Sequence, residues 1–270
     1  MTGYNFLYTA SAGNPNLKPI TADNLDLSLE NYFASVGSLT FDIFYKKFYD
    51  YIQFGQYEQD FTNNGVTRTV RVNGPVNADG ASIKGFEVAY QRFFDFLPAP
   101  FDGLGIQANY THVADSGVNN SNLTTVSGDG GTNVNGGGVA QAAGVINPHA
   151  LEGLSEDAYN LVGMYEKGPW AVRLAYNWRS KFLVTALDCC VGVPIFQDDY
   201  GQLDGSLRYK VNDHVELNIS GSNLTGSDTV LVGQVFGDIA GVTPNANAVF
   251  VPNAWFKNDR RLQVGIRLRY

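Results

Sequence analysis

The sequence predicts an all-β fold, an antiparallel transmembrane β-barrel segment of about nine strands that is too short to close into a complete barrel. Three observations support this prediction. Residues 260–270 alternate apolar and polar side chains and end in an aromatic residue, which suits a tilted transmembrane strand. The composition favours strands and tight turns over helices, because 30 Gly, 15 Tyr and 17 Phe accompany only 16% charged residues. Short and long connections also alternate along the chain.

The first predicted strands form a hairpin from residues 24–33 and 38–45. Successive side chains of a strand point to opposite faces, and here one face is apolar while the other is polar. Leu25, Leu27 and Leu29 define the apolar face of the first strand. A short turn between the two segments predicts that they pair directly.

The middle of the chain repeats this pattern with longer connections. Residues 54–80 are predicted to be a polar excursion, to which residues 66–72 could add a small hairpin arm. Strands over residues 81–93 and 104–113 follow, joined by a turn with two prolines. Residues 114–157 are predicted to be irregular, because their centre is mostly Ser, Asn, Thr, Asp and Gly and cannot bury a core.

The second half contains the clearest hairpin, in which a Gly-Pro turn connects residues 159–167 to residues 170–179. Another hairpin, residues 202–210 and 214–223, surrounds an Asn-Asp dipeptide that is typical of tight turns. Long excursions separate these hairpins from each other and from the terminal strand.

The order of the connections is the most informative feature of the sequence. Short turns at one end and long loops at the other are typical of outer-membrane barrels, whose short turns are periplasmic and whose long loops are extracellular. A Greek-key sandwich has no physical reason to keep this order. The loops predicted to lie outside the cell begin near Phe54, Ala114, Ser180 and Thr225.

The overall charge and hydropathy limit the functional classes. The formal net charge is −8, and without a basic cluster this argues against a nucleic-acid partner. The sequence contains no run of about twenty apolar residues, so it predicts no membrane-spanning helix. The mean hydropathy of −0.14 still fits a barrel, whose apolar residues alternate with polar ones. The N-terminus lacks a secretory signal, so an exported protein is expected to have a missing front end.

Four stretches resemble the C-terminal part of TonB-dependent receptors, a family of plugged outer-membrane transporters. Residues 13–30 contain an Asn-Pro-x-Leu-Lys-Pro segment that leads into a strand, with Ile20 where the family usually has Glu. Residues 83–88 contain Gly-Phe-Glu on a strand that is predicted to run from the extracellular side towards the periplasm, as in the family. Residues 188–197 resemble a loop of one proteobacterial branch, and residues 217–225 with the terminal strand resemble the family's ending.

The resemblance implies a domain assignment and a set of partners. Such receptors close a barrel of about 22 strands around an N-terminal plug. Residues 1–270 would then be the C-terminal part of the barrel, without the plug or the TonB box, and a fragment inactive alone. The complete receptor would import a scarce nutrient, such as a siderophore, vitamin or glycan, through the outer membrane of a Gram-negative bacterium. Its partners would be outer-membrane lipid, the barrel assembly machinery, TonB through the missing plug, and an unknown small-molecule ligand.

The terminal strand also resembles the signal that hands barrel proteins to their assembly machinery. The residues assigned to this signal are Gln263, Gly265, Leu268 and Tyr270. Ligand contacts are expected from aromatic and polar residues of the long loops, although packing between loops explains the same residues. These candidates are Tyr51, Phe54, Tyr57, Phe61, Asp188, Phe196 and Trp255.

Adjacent cysteines, Cys189 and Cys190, lie in a predicted extracellular loop. An oxidising compartment favours a disulfide, which would rigidify the loop or join these cysteines to another part of the protein. Enzymatic and metal sites are not expected. The three histidines, His112, His149 and His214, are separated in sequence, and no nucleophile elbow or phosphate loop is present. No cofactor is predicted.

Two other functions fit parts of the pattern. A passive porin-like channel would share the barrel wall but would have no plug. A soluble β-rich glycan-binding protein would share the strands and the aromatic loops.

Overall fold

The structure is a computed structural model that describes residues 8–34, 36–78, 80–116, 150–186, 188, 191–237 and 247–269. These residues form β-strands and a one-turn 3-10 helix, Phe101–Gly103. None of the helical structure in these ranges is long and apolar enough to cross a membrane. The strands, in chain order, are β1 (Tyr8–Ser11), β2 (Thr21–Tyr32), β3 (Gly37–Tyr49), β4 (Ile52–Asn63), β5 (Val66–Asn77), β6 (Ser82–Phe93), β7 (Leu104–Ser116), β8 (Asp157–Lys167), β9 (Trp170–Arg179), β10 (Phe182–Thr185), β11 (Ile195–Gln197), β12 (Tyr200–Lys210), β13 (Val215–Ser222), β14 (Thr229–Phe236), β15 (Val249–Phe256) and β16 (Arg261–Leu268).

The largest sheet has nine strands in the order β2-β3-β6-β7-β8-β9-β12-β13-β16. Every neighbouring pair in it is antiparallel. These strands overlap the nine segments that alternation predicts, so the predicted fold class is confirmed. The two edge strands, β2 and β16, do not pair with each other, and the barrel is open.

The two faces of the nine-stranded sheet differ in chemistry. One, the apolar face, carries side chains such as Leu25, Leu262 and Ile266, of which Leu25 is 70% and Leu262 74% exposed. The opposite, polar face carries the alternate residues, including Asp26, Arg261 and Gln263. Large aliphatic side chains this exposed over a whole face are typical of contact with lipid or another protein.

The connections fall at two ends of this sheet. Short turns join β2 to β3, β6 to β7, β8 to β9 and β12 to β13, and they define the short-turn end. Long segments join the remaining neighbours and define the long-loop end. The alternation of short and long connections predicted from the sequence is therefore present.

The long connections are more ordered than the sequence predicts. The excursion over residues 54–80 is in fact a hairpin of β4 and β5, each of 12 residues, with β1 parallel to β5. Its turn contains Asn64 and Gly65, with φ of 51° and 76°. Positive φ at both central residues suits a tight hairpin turn, so the Asn-Gly dipeptide was the relevant sequence signal.

The two excursions in the second half of the chain also contain regular structure. Strands β10, β11, β14 and β15 pair into a separate four-stranded sheet. Its pairing satisfies backbone groups that an irregular loop would leave to water.

Buried side chains concentrate at the long-loop end. Val72 and Val76 of β5, Leu183 of β10, Ile195 of β11 and Val232 of β14 are buried. Within the described part of the nine-stranded sheet, Val162 is the buried aliphatic side chain. The large sheet is thus a wall without a core of its own, whereas the loop sheets are packed.

Candidate ligand-binding site at the long-loop end

A cleft of about 260 Å³ lies where the nine-stranded sheet meets the four-stranded sheet. The end of β7 forms one side of it, and residues around β10 and β11 form the other. The lining side chains that bear charge or an aromatic ring are Asp115, Glu156, Lys181, Phe182 and Phe196.

Lys181 is held at the cleft by one carboxylate and one ring. Its Nζ lies 3.3 Å from Asp198 Oδ1 and 4.2 Å from the centre of the Phe250 ring. Phe250 in turn meets Phe196 edge-to-face, with 5.2 Å between ring centres. The ammonium group is about one-third exposed. The cleft therefore presents a positioned cation beside aromatic surface.

Arg179, at the end of β9, orients Phe182 in a similar way. Its guanidinium lies 3.8 Å from the centre of the Phe182 ring. Nε donates to Ser155 Oγ at 2.8 Å, and Nη2 donates to the Gly153 carbonyl at 3.0 Å. These bonds tie the chain after β9 to the segment before β8, so the ring has a defined position.

Carboxylates near the cleft brace the backbone. Asp115 Oδ2 accepts from the Leu151 amide at 2.7 Å, and Glu152 Oε1 accepts from the Ala186 amide at 2.8 Å. These hydrogen bonds from backbone amides partly offset the negative charge of both carboxylates. Glu156 also lines the cleft, so two carboxylates face one ammonium group, and the arrangement suits an aromatic ligand with an anionic oxygen for Lys181 more than a highly charged anion.

Among the predicted ligand-contact residues whose side chains the structure describes, only Phe196 lines the cleft. Tyr57, on β4, donates its hydroxyl to the Gly13 carbonyl at 2.9 Å. Phe61 is exposed farther along the same strand, and Trp255 of β15 is 65% exposed. Asp188 accepts from the Val191 amide at 2.9 Å and stabilises a turn.

Tyr51 lies between β3 and β4 in the chain, near the Glu152 carboxylate. Burial raises the pKa of Tyr51, and the nearby Glu152 carboxylate raises it further. Its hydroxyl therefore keeps its proton at neutral pH. The side chain of Phe54, together with Cys189, Cys190 and Tyr270, lies outside the described residues, and so does His149. The predictions about these side chains are untested.

Sequence reasoning missed Lys181 and Phe182, which line the cleft, and Arg179, which orients the Phe182 ring. Their signal was present as a run of basic and aromatic residues directly after the β9 alternation. The run lacked a predicted partner, because β11 and β14 were not expected to be strands.

A second concavity, of about 400 Å³, lies on the polar face. Small residues of β12 and β13 form its floor, and no aromatic side chain lines it. Its principal polar side chains are Arg173, Asp204, Ser206, Ser220, Ser222 and Arg261. It is part of the wall of the sheet and is separate from the cleft.

His112 is brought close to two carboxylates, which the sequence did not predict. One ring nitrogen of His112 and one carboxylate oxygen each from Glu156 and Asp157 lie within 4.8 Å of one another. Asp157 already accepts from His112 Nδ1 at 2.8 Å and from the Tyr110 hydroxyl at 2.6 Å. Hydrogen bonding within the protein thus accounts for this cluster.

Three of the residues assigned to the assembly signal, Gln263, Gly265 and Leu268, lie on edge strand β16. Gln263 and Gly265 belong to the polar face, and Leu268 to the apolar face. A Cβ at position 265 would lie 2.5 Å from Asn218 Oδ1, so glycine leaves room for the Asn218 side chain to lie against β16. Their role in assembly stays a prediction.

Comparison with known proteins gives a family and a set of similar folds. Residues 2–224 match the family model described as TonB dependent receptor-like, beta-barrel. No curated protein sequence matches the chain. Solved structures with a similar fold include the siderophore receptor PirA from Acinetobacter baumannii, at 15% identity and a TM-score of 0.52, with 96% of this chain and 33% of that chain covered.

Two further structures give the same result. FpvA from Pseudomonas aeruginosa PAO1, bound to pyoverdine, is 16% identical with a TM-score of 0.54, covering 94% of this chain and 30% of that one. The FrpB iron transporter from Neisseria meningitidis is 12% identical with a TM-score of 0.51, covering 97% and 32%. At these identities the likeness concerns the fold alone. The chain spans about a third of the length of these proteins.

Proposed function

Since the chain belongs to the TonB-dependent receptor β-barrel family, we propose that it is the C-terminal, nine-stranded portion of an outer-membrane receptor that binds a ferric siderophore for active import. Members of this family are receptors and transporters of the Gram-negative outer membrane, rather than enzymes. The observation that carries the proposal is the cleft at the long-loop end, where the four-stranded sheet meets the nine-stranded sheet and a positioned lysine lies beside two phenylalanine rings.

The direction of the edge strands supports the assignment to part of a larger barrel. β2 and β16 are the first and ninth strands of an antiparallel sheet, so they run in the same direction. Antiparallel closure therefore needs an odd number of further strands. Bacterial outer-membrane barrels have an even number of strands, so a complete barrel less these nine leaves an odd number. A second identical sheet in the same membrane orientation would place its β2 parallel to β16, so it could not close the barrel by antiparallel pairing.

In this proposal the remaining strands and a plug complete the receptor. The apolar face contacts lipid, and the polar face with its concavity at Arg173 and Arg261 faces the plug. The short-turn end is periplasmic, and the long-loop end is extracellular. TonB acts through the plug and not through the wall described here.

The chemistry of the cleft favours a ferric siderophore over a vitamin or a glycan. Iron chelates with catecholate or other oxygen ligands often carry negative charge and planar groups, which suit an ammonium group beside aromatic rings. FpvA is a receptor bound to pyoverdine, and PfeA from Pseudomonas aeruginosa is a ferric enterobactin receptor. Their folds are similar to this one, and their ligands are the class to test first.

The test is isothermal titration calorimetry on the intact receptor with ferric enterobactin, ferric pyoverdine, cobalamin and a maltooligosaccharide. We expect binding of an iron chelate. Lys181→Ala should weaken it about tenfold, because a partly desolvated cation contributes about 1–2 kcal/mol beside rings and anions. Lys18→Ala is the matched control, since Lys18 also pairs with an aspartate but does not line the cleft.

Preferential binding of cobalamin or the oligosaccharide would contradict the proposed ligand. Equal affinity in the Lys181→Ala and wild-type proteins would contradict the proposed site. Uptake of the labelled iron chelate should stop when a protonophore removes the inner-membrane energy source, whereas a passive channel would continue to conduct.

A further inference from the structure

A single arginine interrupts the apolar face at the short-turn end. The alternation of β6 places Arg92 on the same face as Val88 and Tyr90. The Arg92 guanidinium lies 4.7 Å from the centre of the Phe96 ring and 5.7 Å from the centre of the Phe33 ring. Phe33 follows β2 and Phe96 lies in the turn after β6, so two different turns supply the rings.

The backbone is shaped to bring Phe33 across to Arg92. Gly37 of β3 is the direct cross-strand partner of Arg92. A Cβ at position 37 would lie 2.8 Å from the Phe33 ring, so glycine leaves the room in which the ring lies. Phe33 then stacks on Tyr90, with 6.0 Å between ring centres. On the other side, Phe94 supports Phe96 edge-to-face at 5.9 Å.

The guanidinium has rings beside it, but within the described ranges it has no ion-pair partner. Arg92 Nε is buried and makes no hydrogen bond there. A π-face attracts the charge but satisfies an N–H group only weakly. Because Nε is closed off by protein, an external anion would approach the two terminal Nη groups, whose planar fork matches the oxygens of a phosphate. The cluster therefore has the properties of an anion site on a lipid-facing surface.

We propose that Arg92, Phe33 and Phe96 bind the phosphate group of a phospholipid in the periplasmic leaflet. The proposal rests on the membrane orientation given under Proposed function. Aromatic side chains at the short-turn end, such as Trp170 and Tyr209 at 4.4 Å between ring centres, fit the level of the lipid headgroups. At that level the guanidinium meets the phosphate while the two rings pack against the glycerol and the upper acyl chains.

The experiment is native mass spectrometry of the receptor extracted from outer membranes in mild detergent and titrated with phosphatidylglycerol. We expect Arg92→Ala to weaken the strongest lipid-binding step about tenfold. The lipid affinity of Arg92→Lys should fall between those of Arg92→Ala and the wild type, because lysine keeps the positive charge but lacks the planar guanidinium group. Arg208→Ala is the matched control, since Arg208 lies near the same end of the sheet on the polar face and should bind as the wild type does.

Diacylglycerol with the same chains tests the role of phosphate, and it should bind equally to the wild type and Arg92→Ala. Glycerol phosphate tests whether a free anion is enough, and we expect it not to compete at the concentrations that saturate the lipid. If Arg92→Ala does not fold, Phe96→Leu should still weaken phosphatidylglycerol binding several-fold with the arginine in place.

Two results would overturn the inference alone: unchanged lipid binding in Arg92→Ala, or an equal loss in Arg208→Ala. If glycerol phosphate competes, the site binds a soluble anion, and the proposal of a phospholipid ligand is wrong. Absence of the wild-type protein from the membrane fraction would instead overturn the membrane orientation, and with it both proposals.

Discussion

At the scale of single residues, two aspartates at the short-turn end are held by lysines from neighbouring segments. Asp102, in the turn after β6, accepts a hydrogen bond from Lys167 at the end of β8. This bond lowers the pKa of Asp102, and the lysine charge lowers it further. Asp213 accepts from Lys210 at 2.7 Å, which lowers the pKa of Asp213 in the same way. The Asp102 pair connects the turn before β7 to the end of β8, whereas the Asp213 pair lies within the single turn between β12 and β13.

The Asp102 pair should stabilise the protein in a pH-dependent manner. Because the folded pKa lies below the unfolded value of about 3.9, the stabilisation is fully present above that value and is lost as the pH falls through the folded pKa. A double-mutant cycle of Asp102→Asn and Lys167→Gln should give a small favourable coupling at pH 7 that disappears at the lowest accessible pH. Thermal unfolding in detergent measures it, and a coupling that is constant with pH would contradict the prediction.

At the scale of elements, the hairpin of β8 and β9 depends on one glycine. Gly168 has a φ of 57°, and a Cβ built there would meet nothing within 4 Å. The requirement for glycine is therefore conformational and not steric. Gly168→Ala should destabilise the protein by about 1–2 kcal/mol, the cost of a left-handed conformation for a residue with a Cβ. Chemical unfolding in detergent gives this value.

Gly163, in β8 of the same hairpin, is the control for this prediction. It also has nothing within 4 Å of a built Cβ, but its φ is not positive. Gly163→Ala should be neutral or stabilise the protein by about 0.4–1 kcal/mol. If both alanines had the same effect, the turn conformation would not explain the need for glycine.

The loop elements show how far local signals reach. The Asn64-Gly65 turn and the valines of β5 indicated a hairpin arm over residues 66–72, and the structure extends that arm to Asn77. Strand β11 has only three residues and no alternation long enough to recognise. It forms because β14 and β10 pair with it on either side.

At the scale of the whole molecule, the two faces of the nine-stranded sheet have different surroundings in the proposed receptor. Ile43 lies near the middle of β3 on the apolar face, and Thr40 lies on the polar face of the same strand. Ile43→Arg should lower the free energy of unfolding in a bilayer by about 2–4 kcal/mol, because lipid cannot solvate the charge. Thr40→Arg should cost much less, since its side chain points to the polar interior.

Denaturant titration of the receptor in lipid vesicles compares these two variants. An equal effect of both arginines would mean that the faces are not divided between lipid and interior. A larger effect of Thr40→Arg would reverse the assignment of the faces. Either result would remove the physical basis of the proposed orientation.

The sequence by itself determined the nine strands, their two faces and the alternation of short and long connections. These features depend on a period of two residues and on turn dipeptides, which are local and can be found without knowing any partner. The tertiary structure decided which loop residues meet. Phe196 reaches the cleft through pairing of β11 with β14, and Arg92 gains the Phe33 ring from a turn distant in sequence. Such contacts depend on strand register and on the room left by residues such as Gly37, and neither leaves a periodic signal in the chain.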